Sequence, residues 1–243
     1  MIKGLYRSAS AMIPRIKKQD TIANNLANAS SPGFKRDMVF TKELSRAQIR
    51  SIPRQNDWQT PMIDQVYTSF EQGSLDRTGS PLDLALEGNG FFVFQTAEGD
   101  NLLSRAGNLT VSTDGFLVSP DGSRLMSDGG PINVGAGEIS ISESGQVQVD
   151  GADVANIQVV DVADQSKLEK TGNGDFRVPE NEELIPAIKY AVRQGYLEAS
   201  NVNVVKEMVD MIVSYRNFEA DAKAIQAQDD SLEKLLNNVG RVR

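Results

Sequence analysis

Neither cysteine nor histidine occurs anywhere in the 243 residues. Without cysteine there are no disulfides, no thiolate nucleophile and no sulfur-ligated metal. Without histidine the commonest general base, the commonest metal ligand and every Ser-His triad are lost. Long apolar runs are also missing. No segment reaches the roughly 18 apolar residues of a membrane helix, so no membrane insertion is expected. Lys17, Lys18 and Asp20 break the early apolar pattern, so no cleavable signal peptide is expected either. The default expectation is a soluble cytoplasmic chain, and export without a signal would leave the same pattern.

Positive charge is scarce where most of the chain lies. The net charge is −8. Residues 1–36 carry seven Lys/Arg against one acid, whereas residues 82–200 carry seven against nineteen acids. That acidic bulk argues against nucleic acid as a partner. The basic start is either a solvated face or a surface for carboxylates of a neighbouring chain.

Chemical motifs are equally thin. Gly88-Asn89-Gly90 is a GxG whose completing position is Val93, so the dinucleotide fingerprint fails and a tight turn is expected. The Asp-Gly pairs lack the spacing and terminal glutamate of a calcium loop. Glu180, Glu182 and Glu183 read as a solvated charge run, and nothing selects a Ser-Lys pair. No catalytic constellation, cofactor or metal is expected, and an enzyme is the weakest of the readings.

What the chain does have is periodicity at both ends. Ile2, Leu5, Ala9, Met12, Ile16, Gln19, Ala23 and Leu26 follow alternating steps of three and four. So do Val204, Met208, Met211, Tyr215, Phe218, Ala222, Ile225, Asp229, Leu232, Leu236 and Val239. Such spacing puts each set on one helical stripe, as in a coiled-coil seam. Pro14 lies off the first stripe and should kink that helix or mark a late start. Asp229, if buried in the seam, needs a donor. A helix over 201–239 is roughly 58 Å long at about 1.5 Å per residue. It cannot bury its stripe alone. It needs the N-terminal helix, in a closed intramolecular hairpin, or other chains.

Between about Pro81 and Pro179 the pattern changes to short strands and turns. Residues 108–120 form a hairpin candidate around Asp114-Gly115, and residues 138–151 another around Ser144-Gly145. The expected fold is mixed α and β: N- and C-terminal helices pairing as a coiled-coil-like core, with a central antiparallel all-β domain. The divisions are 1–36 (core helix and turn), 37–80 (extended connector, with a short helix near 41–50), 81–185 (β domain), 186–200 (return segment) and 201–243 (core helix).

The stretch IANNLANASSPGF, residues 22–34, ends the first helix. Asn28 suits a left-handed cap, and Pro32 forbids continuation. Asn24 and Asn25 are poor helix formers that capping leaves unexplained. Their amides can bond across to another chain, so a partner is one reading beside capping.

These residues also carry a resemblance. QDTIANNLANASSPGFKR (19–36) resembles the N-terminal signature of bacterial flagellar rod and hook proteins, with Ser31 where that signature often has Thr. Residues 194–243 resemble their C-terminal helix segment. LDLALEGNGFFVFQT and LLSRAGNLTVSTDGFLVSPDG resemble the β domain of rod members. The short chain resembles a rod protein more than the hook protein, which carries a larger β insertion. Its two ends look more like a proximal rod member than the distal one. The resemblance implies a non-enzymatic structural subunit, exported through the flagellar type III apparatus without a cleaved signal. It implies assembly in the periplasm, with proximal and distal rod proteins as partners, into a helical tube lined by the terminal helices. The implied assembly interface comprises Leu5, Met12, Ile16, Asn24, Asn25, Leu26, Asn28, Pro32, Gly33, Phe34, Met208, Met211, Tyr215, Phe218, Ile225, Leu232 and Leu236. The alternatives are the distal rod member and, outside the family, a fibre or adhesin subunit with a β head and a helical stalk.

Overall fold

A computed structural model describes residues 2–44, 60–179 and 182–239. The chain divides into two compact units. One comprises residues 1–27, 37–69 and 203–243, the other 28–36 and 70–202.

The first unit holds two helices and a two-stranded ladder. α1 (Ile2–Ala27) runs through Pro14, which is buried rather than terminal. α2 (Val204–Val239) is 36 residues long, about 54 Å. It starts after Asn203, whose Oδ1 accepts from Lys206 N at 3.0 Å and whose carbonyl accepts from Glu207 N at 2.9 Å. That bond occupies an otherwise orphaned amide of the first turn. β1 (Asp37–Leu44) pairs antiparallel with β2 (Thr60–Thr68), with an irregularity between Phe40 and Thr41. The stretch expected as an extended connector is thus a strand pair at both ends. Of the short helix expected near 41–50, residues 41–44 are strand and the rest lies outside the described residues. Alternating Met38, Phe40 and Lys42 are compatible with a half-buried strand, a signal that Pro53 and Pro61 obscured in the sequence.

The second unit is antiparallel throughout. Its main sheet centres on Phe91–Gln95, flanked by Asn101–Ser104 on one side and Arg124–Ser127 on the other. A smaller sheet joins Ile139–Ile141, Gln146–Val149 and Ala152–Asn156. Both expected hairpins are present, Thr110–Val111 with Leu117–Val118 and Ile139–Ile141 with Gln146–Val149. Gly88-Asn89-Gly90 does not close a hairpin. It passes the chain from Leu84–Gly88, which pairs with Tyr190–Gln194, to Phe91–Gln95 in the main sheet. Gly90 has a positive φ, and a Cβ there would lie 2.9 Å from the side chains of Ala187 and Val159. Close packing therefore requires glycine at this crossing. Leu84, Leu86, Phe92, Leu117, Leu125 and Ile157 form the largest apolar cluster. A second gathers Phe91, Val93, Leu103, Val160 and Phe176.

Candidate functional site

In the first unit the two helices run antiparallel. Asn25 meets Glu207, while Arg15, ten residues earlier, meets Ser214 and Asp221. On α2 the residues facing α1 are Glu207, Ser214 and Asp221, seven apart, with the half-buried Met211, Phe218, Ile225 and Leu232 between them on the same face. The seam is therefore half polar. Glu207 is fully buried beside Asn25, and the Arg15–Asp221 pair is 3.0 Å long and partly exposed. The side-chain nitrogen of Gln19 and the side-chain oxygen of Gln228 are buried without a hydrogen bond.

This arrangement splits the stripe that spacing alone put on one face of α2. Met211, Phe218, Ile225 and Leu232 lie on the α1 side. Met208 and Tyr215 lie open, Tyr215 at 62% exposure. They join Val205 (72% exposed), Val209, Ile212 and Val213 in a contiguous apolar face that none of the described residues covers. Asp229 is exposed rather than buried in the seam; the acids facing α1 are the buried Glu207 and the half-buried Asp221. Among the described side chains of α1 the buried positions are Pro14, Thr21, Ile22 and Asn25. That face is turned about one residue, roughly 100°, from the expected stripe. Ile16 is consequently 46% exposed, and Met12 and Leu26 are half-buried. The side chains of Leu5 and Leu236 lie outside the described residues.

The three signature asparagines have different surroundings. Asn24 is at the surface. Asn25 is 1% exposed. Its Nδ2 donates to the Asp37 carbonyl at 2.8 Å and its Oδ1 accepts from Asp37 N at 2.9 Å. A side-chain amide thus imitates a backbone partner and ties the end of α1 to the start of β1. Nδ2 also donates to Glu207 at 3.3 Å.

Asn28 accepts from Ser31 Oγ at 3.3 Å, and Ser31 N donates to the Asn28 carbonyl, closing the turn before the half-buried Pro32. Gly33 takes a φ of +69°, and a Cβ there would sit 2.3 Å from Ala106 N. Gly33 N donates to the Glu198 carbonyl at 2.7 Å. Phe34 is buried, with the Lys170 ammonium 3.8 Å above its ring. This is cation–π geometry.

Behind that turn lies a constellation the sequence reading missed. Lys35, Arg105 and Glu198 are all but fully buried. Glu198 accepts from Lys35 Nζ at 2.5 Å, from Gly73 N at 3.0 Å and from Arg105 Nη1 at 3.2 Å. Lys35 also donates to the Glu71 carbonyl, and Arg105 to those of Leu86 and Gly88. Two cations thus share one carboxylate. Burial pulls the Lys35 ammonium below its usual value, only partly opposed by Glu198, and Arg105 adds to the depression. Burial likewise lowers Arg105, opposed by Glu198 and more weakly by Asp161. Asn201 completes the clamp: its Oδ1 accepts from Arg36 N at 2.7 Å, and its Nδ2 donates to the Glu71 carbonyl. No local pattern distinguishes Lys35, Arg105 or Glu198 from surface charges, because their partners lie 70 to 163 residues away.

A cavity of about 480 Å³ beside the same turn is lined by Asn28, Ser31, Ser104, Asp121 and Asp175, among others. Burial pushes the Asp175 carboxyl up to about 6, against a hydrogen bond from Ser104 and with the charge of Asp121 adding to the rise. Glu182, expected in a solvated run, pairs with Lys167; Glu180 lies outside the described residues. Among the described residues no cluster of three or more acidic side chains is arranged to hold a metal.

An uncovered apolar helix face, a half-polar intrachain seam and a charge clamp are devices for holding and joining chains. They define an assembling structural subunit. Residues 5–35 match the family described as flagella basal body rod protein, residues 85–149 the flagellar hook protein FlgE/F/G D1 domain, and residues 193–238 the flagellar basal body rod FlgEFG protein C-terminal family. The chain is 30% identical over 271 residues to the flagellar hook-basal body complex protein FlhO of Bacillus subtilis, covering all of both chains. It is 31% identical over 265 residues to that organism's flagellar basal-body rod protein FlgG, covering 98% of this chain and 99% of the relative. It is 29% identical over 249 residues to the basal-body rod protein FlgF of Rhizobium meliloti, again covering all of both. The chain belongs to the flagellar basal-body rod protein family.

Proposed function

We propose that this protein is a structural, non-catalytic subunit of the flagellar basal-body rod, joining other rod subunits through its terminal helices. The observation that carries this reading is the open apolar face of α2, from Val205 to Tyr215. Each large apolar side chain contributes about 1.5–3 kcal/mol on full burial, so covering six half-exposed ones stabilises an assembly by on the order of 5 kcal/mol. A second subunit is the natural cover, and a heterologous contact of this kind adds copies open-endedly. The interface then comprises Met208 and Tyr215 with their open neighbours, together with Ile16 and Asn24 on α1. Of the other residues named from the resemblance, Asn25, Asn28, Pro32, Gly33 and Phe34 support the turn, and Met211, Phe218, Ile225 and Leu232 the intrachain seam.

Within the rod, the FlgF position is favoured. The alignment to the Rhizobium meliloti FlgF needs 249 columns for 243 residues, that to the Bacillus subtilis FlgG 265. The FlgG position is the second reading, because identity to the two is equal within two percentage points. Export proceeds through the flagellar type III apparatus to the periplasm. The terminal segments are loosely ordered in the dilute monomer and ordered by docking. Deleting the gene and imaging purified basal bodies tests the proposal. A rod truncated in its proximal part, without hook or motility, supports it. Normal basal bodies and swimming cells refute it and favour a fibre or adhesin subunit.

A further inference from the structure

Of the four places where the chain passes between the two units, the Lys35–Glu198–Arg105 clamp joins the segments that lead to the terminal helices, toward α1 at residue 28 and toward α2 at residue 202. Residues 33–36 run beside residues 198–201. Gly33 N bonds the Glu198 carbonyl, Asn201 N bonds the Phe34 carbonyl at 3.4 Å, and Arg36 N bonds the Asn201 side chain. The buried charges hold this short ladder shut. We infer that the clamp is a pairing device for the terminal helices: by holding the two exits side by side, the folded β unit presents α1 and α2 to each other as a short-looped hairpin.

Loop length gives the magnitude. With the clamp closed, the segments between the helices and their nearest tie are residues 28–34 and 201–203, ten residues in all. With the clamp open, the next tie is the ladder of Leu75–Arg77 with Tyr196–Glu198. The ring then runs through residues 28–37, crosses the Asp37–Thr68 pair of the β1–β2 ladder, and closes through residues 68–75 and 198–203, 24 residues in all. Closure probability falls as the three-halves power of loop length, so opening the clamp lowers helix pairing about fourfold. The half-polar seam explains why such help matters. Buried polar positions set register and orientation but contribute less stability than apolar ones, and Gln19 and Gln228 each leave a buried polar atom unbonded. An effective-concentration gain from the β unit compensates without adding a contact between the helices. The inference concerns the single chain and holds whichever rod position the protein occupies.

The absence of cysteine makes this measurable. Arg15→Cys and Ser214→Cys place a thiol pair where α2 comes within hydrogen-bonding distance of the α1 backbone, the Ser214 hydroxyl lying 3.5 Å from the Arg15 carbonyl. Its effective molarity, titrated against glutathione in the dilute full chain, reports pairing even when pairing is transient. In that background, inserting a twenty-residue Gly/Ser linker between Ala27 and Asn28 leaves the clamp intact. It should lower the effective molarity about fivefold. Glu198→Gln should lower it about fourfold while the β unit stays folded, its strands around Phe91–Gln95 exchanging faster than in wild type but more slowly than in the unfolded chain. Should Glu198→Gln unfold the β unit, the linker variant decides alone. An effective molarity unchanged within twofold on linker insertion overturns the inference. The readout needs no rod, so its failure is distinct from a failure of the assembly proposal.

Discussion

Glu198→Gln is the most informative single substitution in the β unit. Among the described residues Glu198 is the only anion bonded directly to two buried cations, and all three of its donors lose a charged acceptor when it is neutralised. The glutamine keeps one acceptor oxygen and presents an amide to Lys35, Arg105 and Gly73, which are all donors. Removing one partner of a buried pair costs about 3–5 kcal/mol, chiefly because the other charge stays buried without compensation. Two stranded cations put Glu198→Gln at about 4 kcal/mol. Lys35→Met is the opposite case. It removes the surplus cation, fills the stem volume and leaves Arg105 and Glu198 as a balanced pair, so its expected cost is about 1 kcal/mol. Native-state hydrogen exchange at Phe91–Gln95, in the centre of the main sheet, reads the stability of this unit. The expectation is roughly 1,000-fold faster exchange in Glu198→Gln and under tenfold in Lys35→Met. The double variant should be less damaged than the sum of the two, since the residues are coupled. A Lys35→Met cost equal to or above that of Glu198→Gln refutes the charge-balance reasoning.

Other outcomes follow from the same geometry. Asp175 has a folded value of about 6 against 3.8. The native state therefore binds more protons across that window, and its stabilisation is complete below pH 3.8 and lost as pH rises through 6. Discounted for partial exposure, Asp175→Asn should stabilise the β unit by about 1–2 kcal/mol at pH 7 and by nothing at pH 3.5, in urea titrations at the two pH values. Lys35 titrates the other way. Its folded value is depressed, so the unfolded state binds more protons between that value and 10.5, and wild type should gain stability relative to Lys35→Met as pH rises through the window. Gly33→Ala meets both a positive φ and the Ala106 backbone, and should cost more than 3 kcal/mol by thermal melting of the β unit. Ile212→Asp should leave monomer melting within about 0.5 kcal/mol, because the side chain is 56% exposed, while abolishing incorporation into rods in a complementation assay. Asn25→Ala should destabilise the helix unit by about 2–3 kcal/mol, leaving both Asp37 backbone groups without their partner.

The sequence by itself determined the parts that depend on near neighbours. Three-and-four spacing determined both helices, but not that α1 continues through Pro14, where a kink or a late start was expected. Asp114-Gly115 and Ser144-Gly145 determined two hairpins, because a turn's geometry resides in a few adjacent residues. The absence of histidine and cysteine by itself narrows the chemistry open to the chain. Tertiary structure alone decided what those elements face. It assigned Met211 and Phe218 to the seam but Met208 and Tyr215 to the open face, a division that spacing cannot make because both sets lie within one stripe. It gave Asn25 an intrachain role and brought Lys35, Arg105 and Glu198 into one buried cluster. A charged residue looks the same in sequence whether solvated or buried. What separates the two cases is a partner far along the chain, and only folding brings that partner within 3 Å.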